Sequence, residues 1–479
     1  MTSTIFSLTR YRILQSVLLS GTMLAGLTAP AAAEQTNAVL ETRVSALEEK
    51  LDRILQRLEA SDSQLSPEET TMLHDASKVI SATADNAEII TLAELDTPGG
   101  VSAQSTEPPK AEQASGFSVG DANFAFKGFV KLDVSVSDFS GGELPSGNIG
   151  RDFYIPALVP VGGSGDGPDL DFNPRETRFI FAVDSERGGH DISGLIELDF
   201  QVTSGGDERV SNSYIPRIRQ GYITFDNWLL GQAWSTFQDV SALPDNLDFI
   251  GPTEGTVFVR QPMIRYTNGP LQISLEEPET EITGPTGGRL LPGDDLAPDV
   301  VVRYNHKRNW GHLTLAGIAR ALHIEDEIIP GANADTAIGY GVSASGKLNV
   351  GARDDFRFMA TYGEGIGRYI GVNIVNDAAV NADGELETIQ TVSGFASYRH
   401  FWAPNLRSNI TGGYFKADNP VTLVGDTVTD QVYSAHVNII YTPVPKLDVG
   451  LEYIYANRAL ESGVDGSLNK VQFSTKYSF

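Results

Sequence analysis

Leu468-Asn-Lys-Val-Gln-Phe-Ser-Thr-Lys-Tyr-Ser-Phe479 decides how the rest of the chain is read. Val471, Phe473, Tyr477 and Phe479 share one parity, with Thr475 between them. Lys470, Gln472, Ser474, Lys476 and Ser478 take the other. Side chains alternate across a strand, so one face is aromatic and apolar and the other is polar. A strand with lipid on one side and water on the other requires that pattern. The alternative is a half-buried sandwich strand with an aromatic last residue.

The front of the chain favours the membrane. Met1–Ala33 reads as a secretory signal peptide: Arg10 and Arg12, an apolar run from Ile13 to Leu27, then Ala31-Ala32-Ala33. The run falls short of the roughly 18–20 apolar residues that a helical span needs. No later segment is apolar for long enough either, so the sequence predicts no transmembrane helix. In an exported chain the closing strand resembles the C-terminal signal of bacterial outer-membrane barrels. Phe473, Tyr477 and Phe479 carry that resemblance, which implies the barrel assembly machinery as a partner.

Composition agrees. Hydrophobic residues make up only 41% of the chain, as expected when apolar side chains are spread in alternation. There is no cysteine, which excludes a disulfide framework and thiolate metal sites. The net charge is −27, and removing the signal peptide takes away two arginines and no acid. Such acidity argues against nucleic acid as a partner.

Three regions follow the signal peptide. Residues 34–60 predict a helix whose Leu40, Val44, Leu47, Leu51, Ile54 and Leu58 step by four and three, a heptad seam. The seam is short enough to need partner helices. Residues 61–116 read as a linker with one possible helix, opened by Ser66-Pro67-Glu68-Glu69, and a flexible stretch beyond Asp96. Residues 117–479 predict an all-β transmembrane barrel of sixteen antiparallel strands. Their starts are expected near Asn123, Arg175, Asp191, Tyr214, Trp228, Arg260, Pro270, Asp299, Gly311, Thr336, Arg353, Thr388, Asn405, Asp430, Pro445 and Leu468. Short connections such as Asp226-Asn227 and Asn268-Gly269 alternate with long ones such as 140–174, 235–259, 277–298 and 367–387. Short turns on one rim and long loops on the other are the outer-membrane arrangement. The even count puts both barrel ends, and the helix, on the periplasmic side. A barrel of about sixteen strands encloses water, so the count predicts a pore.

The same alternation sorts the first strand. Phe124, Phe126, Val130, Leu132, Val134 and Val136 face out; Lys127, Lys131, Asp133 and Ser135 face in. It places Arg178, Arg217, Arg219, Arg265, Arg303, Arg320, Arg357, Arg399 and Arg407 on the inner face. Arginine facing lipid costs about 2–4 kcal/mol at mid-membrane, so lumen placement is nearly forced. Two roles are open there. Roughly half are expected in ion pairs with lumen acids such as Asp133, Asp184, Glu197, Asp199, Glu276 and Glu452. The rest would form a cationic path for anions, since the guanidinium fork matches carboxylate and phosphate. Acids outside the strands, such as Asp166, Asp169, Asp171, Asp295, Glu325 and Asp326, read as solvated loop faces. Divalent cations beside lipopolysaccharide are the alternative there. The loop 235–259 follows the fifth strand and carries Phe237, Asp239, Asp245, Asp248, Phe249 and Glu254. Folded inward against the arginines, it would constrict the pore.

Gln232-Ala-Trp-Ser-Thr-Phe237, Arg260-Gln-Pro-Met-Ile-Arg-Tyr266 and Leu275-Glu-Glu-Pro278 resemble the DcaP-like trimeric outer-membrane porins. The matching positions are Gln232, Trp234, Arg260, Gln261, Arg265 and Tyr266. The resemblance implies a sixteen-stranded homotrimer with a periplasmic coiled coil, taking up small anions such as dicarboxylates and aromatic acids. It implies no cofactor. A general-diffusion or phosphate-selective porin is an alternative, and so is a tether between outer membrane and cell wall. An enzyme is disfavoured. There is no G-x-S-x-G elbow, and His74, His190, His306, His312, His323, His400 and His436 form no H-E-x-x-H pair.

Overall fold

The structure is a computed structural model describing residues 116–201, 212–285, 287–290, 292–293, 295–326, 333–381 and 383–479. The expected signal peptide, coiled-coil helix with Val44, Leu47, Leu51, Ile54 and Leu58, and linker lie outside the described residues.

Among the described residues, eighteen segments form one sheet. Two are accessories: Gly116–Val119 doubles back on the first strand, and Asp169–Asn173 prolongs the second. The other sixteen close an antiparallel barrel. They are β1 Ala122–Phe139, β2 Arg178–Arg187, β3 His190–Asp199, β4 Arg217–Phe225, β5 Trp228–Trp234, β6 Arg260–Asn268, β7 Leu271–Glu276 and β8 Asp299–Arg308. Then come β9 Gly311–Ile324, β10 Asp335–Val350, β11 Asp354–Glu364, β12 Gln390–Ala403, β13 Leu406–Asp418, β14 Thr429–Val444, β15 Leu447–Leu460 and β16 Asp465–Ser478. The seam joins β1 to β16, with Phe129 opposite Ser478 and Phe139 opposite Leu468. No helix among the described residues is long and apolar enough to cross a membrane.

The strands begin close to where alternation places them, and the offsets have local causes. β4 starts at Arg217 rather than Tyr214 because Pro216 has no N–H to give the ladder. Pro174 likewise separates Asp169–Asn173 from β2. β16 starts at Asp465 because Asn457 Nδ2 donates to Asp465 Oδ2 at 2.9 Å, extending its hairpin. The short turns use left-handed residues, including Asp226 at φ 48° and Gly269 at φ 58°, as two-residue hairpins require.

The polarity of the wall is that of a membrane barrel. Val471, Phe473 and Tyr477 are exposed on its outside at 44%, 42% and 51%, while Lys470, Gln472 and Ser474 are buried inside. Phe479 packs against Phe126 and Phe179, with ring centroids at 5.3 and 6.3 Å. Its N–H donates to Gly128 O at 3.0 Å. A Cβ on Gly128 would meet the Phe479 ring at 2.9 Å and Arg178 O closer still, so glycine is needed for this approach. Phe479→Ala removes two aromatic contacts worth about 1 kcal/mol each. It is expected to lower the fraction of heat-modifiable, folded barrel on gels; an unchanged fraction would contradict the packing argument.

The wall is uneven in height. β1 has 18 residues and β10 has 16, but β5 has 7 and β7 has 6. The loop 235–259 therefore leaves from a low part of the wall, which positions it to enter the lumen.

Candidate functional site

Eight of the nine arginines assigned to the inner face are buried, and Arg217 is half-buried. Burying a guanidinium without compensation is expensive, so each finds partners. Arg178 pairs with Glu197 (3.1 Å) and Arg217 with Asp199 (2.7 Å). Arg219 pairs with both acids, at 2.8 and 2.7 Å. Arg303 reaches Asp239 (3.3 Å), Arg320 reaches Asp299 (3.0 Å) and Asp377 (2.8 Å), and Arg357 reaches Asp355 (2.7 Å). Arg399 joins Asp245 (3.0 Å) and Asp355, and Arg407 joins Asp245 (2.7 Å) and Asp448 (3.1 Å). Arg265 instead donates from Nε to Thr236 Oγ1 at 2.8 Å and to Trp234 O.

Two of these acids, Asp239 and Asp245, belong to the loop 235–259, which follows the inner wall. Thr236 N donates to Glu276 Oε1 on β7 at 2.7 Å. Asp239 accepts from Arg303, from His312 Nε2 on β9 (3.0 Å) and from Ser345 Oγ on β10 (3.0 Å). It also caps a short 3-10 turn, Val240–Ala242. Leu243 O accepts from Arg357 on β11. Asp245 is held by Arg399 on β12 and Arg407 on β13, and its carbonyl by Asn438 on β14 (2.8 Å). Leu247 N donates to Glu452 on β15 (2.7 Å), while Leu247 O accepts from Gln472 on β16 (3.0 Å) and Lys131 on β1 (2.6 Å). Phe237, Asp239, Asp245 and Asp248 are buried; Phe249 is half-buried. Loop acids and wall cations thus share one electrostatic lattice around most of the circumference.

The loop 140–168 docks on this one. Asn148 caps the turn Ile149–Asp152, with Gly150 N donating to its side chain at 2.8 Å. Phe153 and Ile155 pack with Phe249, Ile250 and Phe258. Tyr154 N donates to Asp248 Oδ1 (3.1 Å) and Tyr154 O accepts from Thr253 Oγ1 (3.1 Å).

Towards β4–β6 the constriction loop presents aromatic rings instead of carboxylates. A bulge in β4 makes Glu197 face Gln220 and Leu198 face Ile218, leaving Arg219 as the extra residue. Bulges re-aim side chains, and this one turns Arg219 onto Glu197 and Asp199. The Arg219 guanidinium lies 5.8 Å from the Trp234 ring and 5.3 Å from Phe249. Arg260 lies 4.8 Å from Trp234 and 5.7 Å from Phe258. Arg178, Arg217 and Arg219 thereby share Glu197 and Asp199, and Arg260 adds a fourth positive charge close enough to feel both acids without pairing, a local excess of positive charge. Among the described residues, Arg178 Nε, Arg219 Nη2, Arg260 Nη1, Trp234 Nε1 and Gln201 Nε2 are buried donors with no hydrogen-bond acceptor. Donors of this kind cost free energy until an acceptor arrives.

Two loop carboxylates have shifted acidities. Burial alone would raise the Asp239 carboxyl, but His312, Arg303 and Ser345 hold it well below the usual carboxylate range. Burial opposes ionisation of Asp245 too, and Arg407, Arg399 and Arg357 overcome it in the same direction. A depressed folded value means the anchoring is fully present above the unfolded pKa, about 3.9, and is lost only as pH falls through the folded value. Hydrogen exchange over residues 238–246, corrected for its intrinsic pH dependence, should therefore stay flat from about pH 7 to about pH 4. Opening of that segment near pH 5 would contradict the pairing.

Alternation found the wall arginines, and the motif stretches contributed Arg260 and Trp234. Asp299, Asp355, Asp377 and Asp448 were missed as partners because pairing across strands and loops leaves no local signal. Among the described residues no group of three or more His, Cys, Asp or Glu could hold a metal ion.

A family model described as DcaP outer membrane protein matches residues 177–479. Among solved structures, the outer membrane channel DcaP of Acinetobacter baumannii is similar with a TM-score of 0.63 and 24% identity, over 75% of this chain and 97% of that one. OmpT of Vibrio cholerae is similar with a TM-score of 0.47 and 9% identity, over 76% of this chain and 100% of that one. No curated protein sequence matches.

Proposed function

The chain belongs to the DcaP outer membrane protein family, and from that premise we propose that it is a passive, anion-preferring porin of the bacterial outer membrane. It lowers the barrier for small hydrophilic anions and catalyses nothing. The observation that carries the anion preference is the cluster on β2–β6, where three guanidinium groups share two carboxylates and Arg260 adds a fourth charge, beside buried donors that lack acceptors among the described residues. A carboxylate or phosphate oxygen supplies what those donors lack. Arg217, with a side chain 24% exposed, and the half-buried Arg260 form the accessible edge; Arg178 and Arg219 stand behind them and set the field. Phe249 and Phe258 lie against Arg219 and Arg260 and favour solutes with an apolar body, such as aromatic acids, alongside dicarboxylates. Arg303, Arg357, Arg399 and Arg407 hold the constriction loop while adding to the same positive potential.

The family membership supports a homotrimer. The heptad at Val44, Leu47, Leu51, Ile54 and Leu58 would strengthen it from the periplasm, with lipid and lipopolysaccharide around the barrel. The test is current blockade. Millimolar dicarboxylate or benzoate-like anions added to one side of a bilayer should interrupt chloride current in steps of one third. Equal blockade by organic cations of the same size would defeat the reading.

A further inference from the structure

The loop 365–389 meets the constriction loop directly, through an antiparallel bridge between Val257 and Ile370. Phe258 N donates to Tyr369 O at 3.0 Å and Gly371 N to Thr256 O at 2.9 Å. Val257, Tyr369 and Ile370 are fully buried. Just beyond the bridge, Val372 and Asn373 have φ of 62° and 61°. A β-branched residue in the left-handed region is a true outlier, and such strain persists only where surrounding contacts enforce it.

The segments on either side of these two residues are held by Arg320, on β9, through the Tyr369 ring and Asp377. The Arg320 side chain is 1% exposed. Nε meets Asp299 Oδ2 at 3.0 Å and Nη1 meets Asp377 Oδ1 at 2.8 Å. Nη1 also donates to Gly365 O (2.9 Å), and Nη2 to Glu279 O (2.6 Å). The guanidinium lies 5.1 Å from the centre of the Tyr369 ring. One side chain thus fixes the start of the loop 365–389, its middle at Asp377, and the loop that follows β7. The path continues to the constriction. Tyr369 OH donates to Asp299 Oδ2 (2.7 Å) and accepts from Gln261 Nε2 (2.8 Å). The Gln261 amide also donates to Glu276 Oε2 (2.8 Å), and the other oxygen of Glu276 receives Thr236 N, the first anchor of the constriction loop.

We propose that Arg320 is a positioning residue that clamps the loop 365–389 onto the loop 235–259, so that the constriction is a composite of two loops whose aperture Arg320 sets. This rests on the channel reading above. Every donor direction of Arg320 ends on a loop or on a partner of Tyr369, so the group serves loop geometry and offers no donor to a passing solute. Lysine could satisfy only part of it, because its ammonium lacks the planar fork.

The test is single-channel recording of the full-length protein. Arg320→Gln is expected to raise conductance about twofold, with noisier open channels, as the second loop lifts away. The chain has no cysteine, so Val257→Cys with Ile370→Cys introduces one unambiguous pair, and directly opposed strand residues suit a disulfide. Oxidised, that pair should return Arg320→Gln to wild-type conductance and noise; reductant should undo the rescue. A purely structural defect in the barrel wall would not respond to the crosslink. Wild-type conductance and noise in folded Arg320→Gln overturn the clamp, as does excess noise that survives oxidation. If Arg320→Gln does not fold, Tyr369→Phe breaks the link from Asp299 to Gln261 and should raise noise in the same direction; quiet channels there overturn the proposal. A wild-type protein that does not conduct overturns the channel reading as well.

Discussion

Asp245→Asn should open the channel. The carboxylate lies between Arg399 Nη1 at 3.0 Å and Arg407 Nε at 2.7 Å and is almost wholly buried. Removing one partner from a buried ion pair costs about 3–5 kcal/mol, because the remaining charges stay desolvated. Arg399 keeps Asp355 and Arg407 keeps Asp448, so the barrel wall should survive. The loss falls on the loop, whose middle then depends on Leu243 O, Leu247 and their backbone contacts. Conductance should rise and flicker, proteolysis within 235–259 should quicken, and anion preference should increase as two guanidinium groups lose a counter-charge. Wild-type conductance with unchanged proteolysis would mean that the loop is held mainly by other contacts.

Arg217→Gln with Arg260→Gln should have the opposite effect on selectivity. The pair removes two positive charges from the accessible edge of the cluster and leaves Arg178 and Arg219 to balance Glu197 and Asp199. A charge a few ångström from a solute, partly screened, is worth about 1 kcal/mol or more. Two such changes should cut the anion-to-cation permeability ratio about tenfold. Arg260 has no carboxylate partner within ion-pair distance among the described residues, so its neutralisation should cost the barrel only its contacts with the Trp234 and Phe258 rings, about 1 kcal/mol. A permeability ratio that does not move would place the selecting field elsewhere, on the loop arginines or the extracellular acids.

Much of the fold was legible because a membrane barrel writes its geometry into parity. Val471, Phe473 and Tyr477 against Lys470, Gln472 and Ser474 fix the faces of one strand, and the same rule repeated gave the strand starts. Pro174 and Pro216 shifted boundaries because they remove ladder donors, an effect visible in sequence but not part of alternation. The bulge at Arg219 was illegible: it depends on how β3 and β4 register, and no residue there announces it. The pairing of the lumen was only half legible. Parity put nine arginines inside, but which acids they meet depends on three loops entering the barrel. Asp245 contacts residues more than 150 positions away. The bridge between Val257 and Ile370 is equally remote from any local pattern.

The most direct test of the account is the reversal potential of the purified protein in a planar lipid bilayer under a salt gradient. A potential of the sign set by chloride, lowered in Arg217→Gln with Arg260→Gln, is the predicted result. A cation-selective potential would show that the acidic loops govern the field and would contradict the anion path.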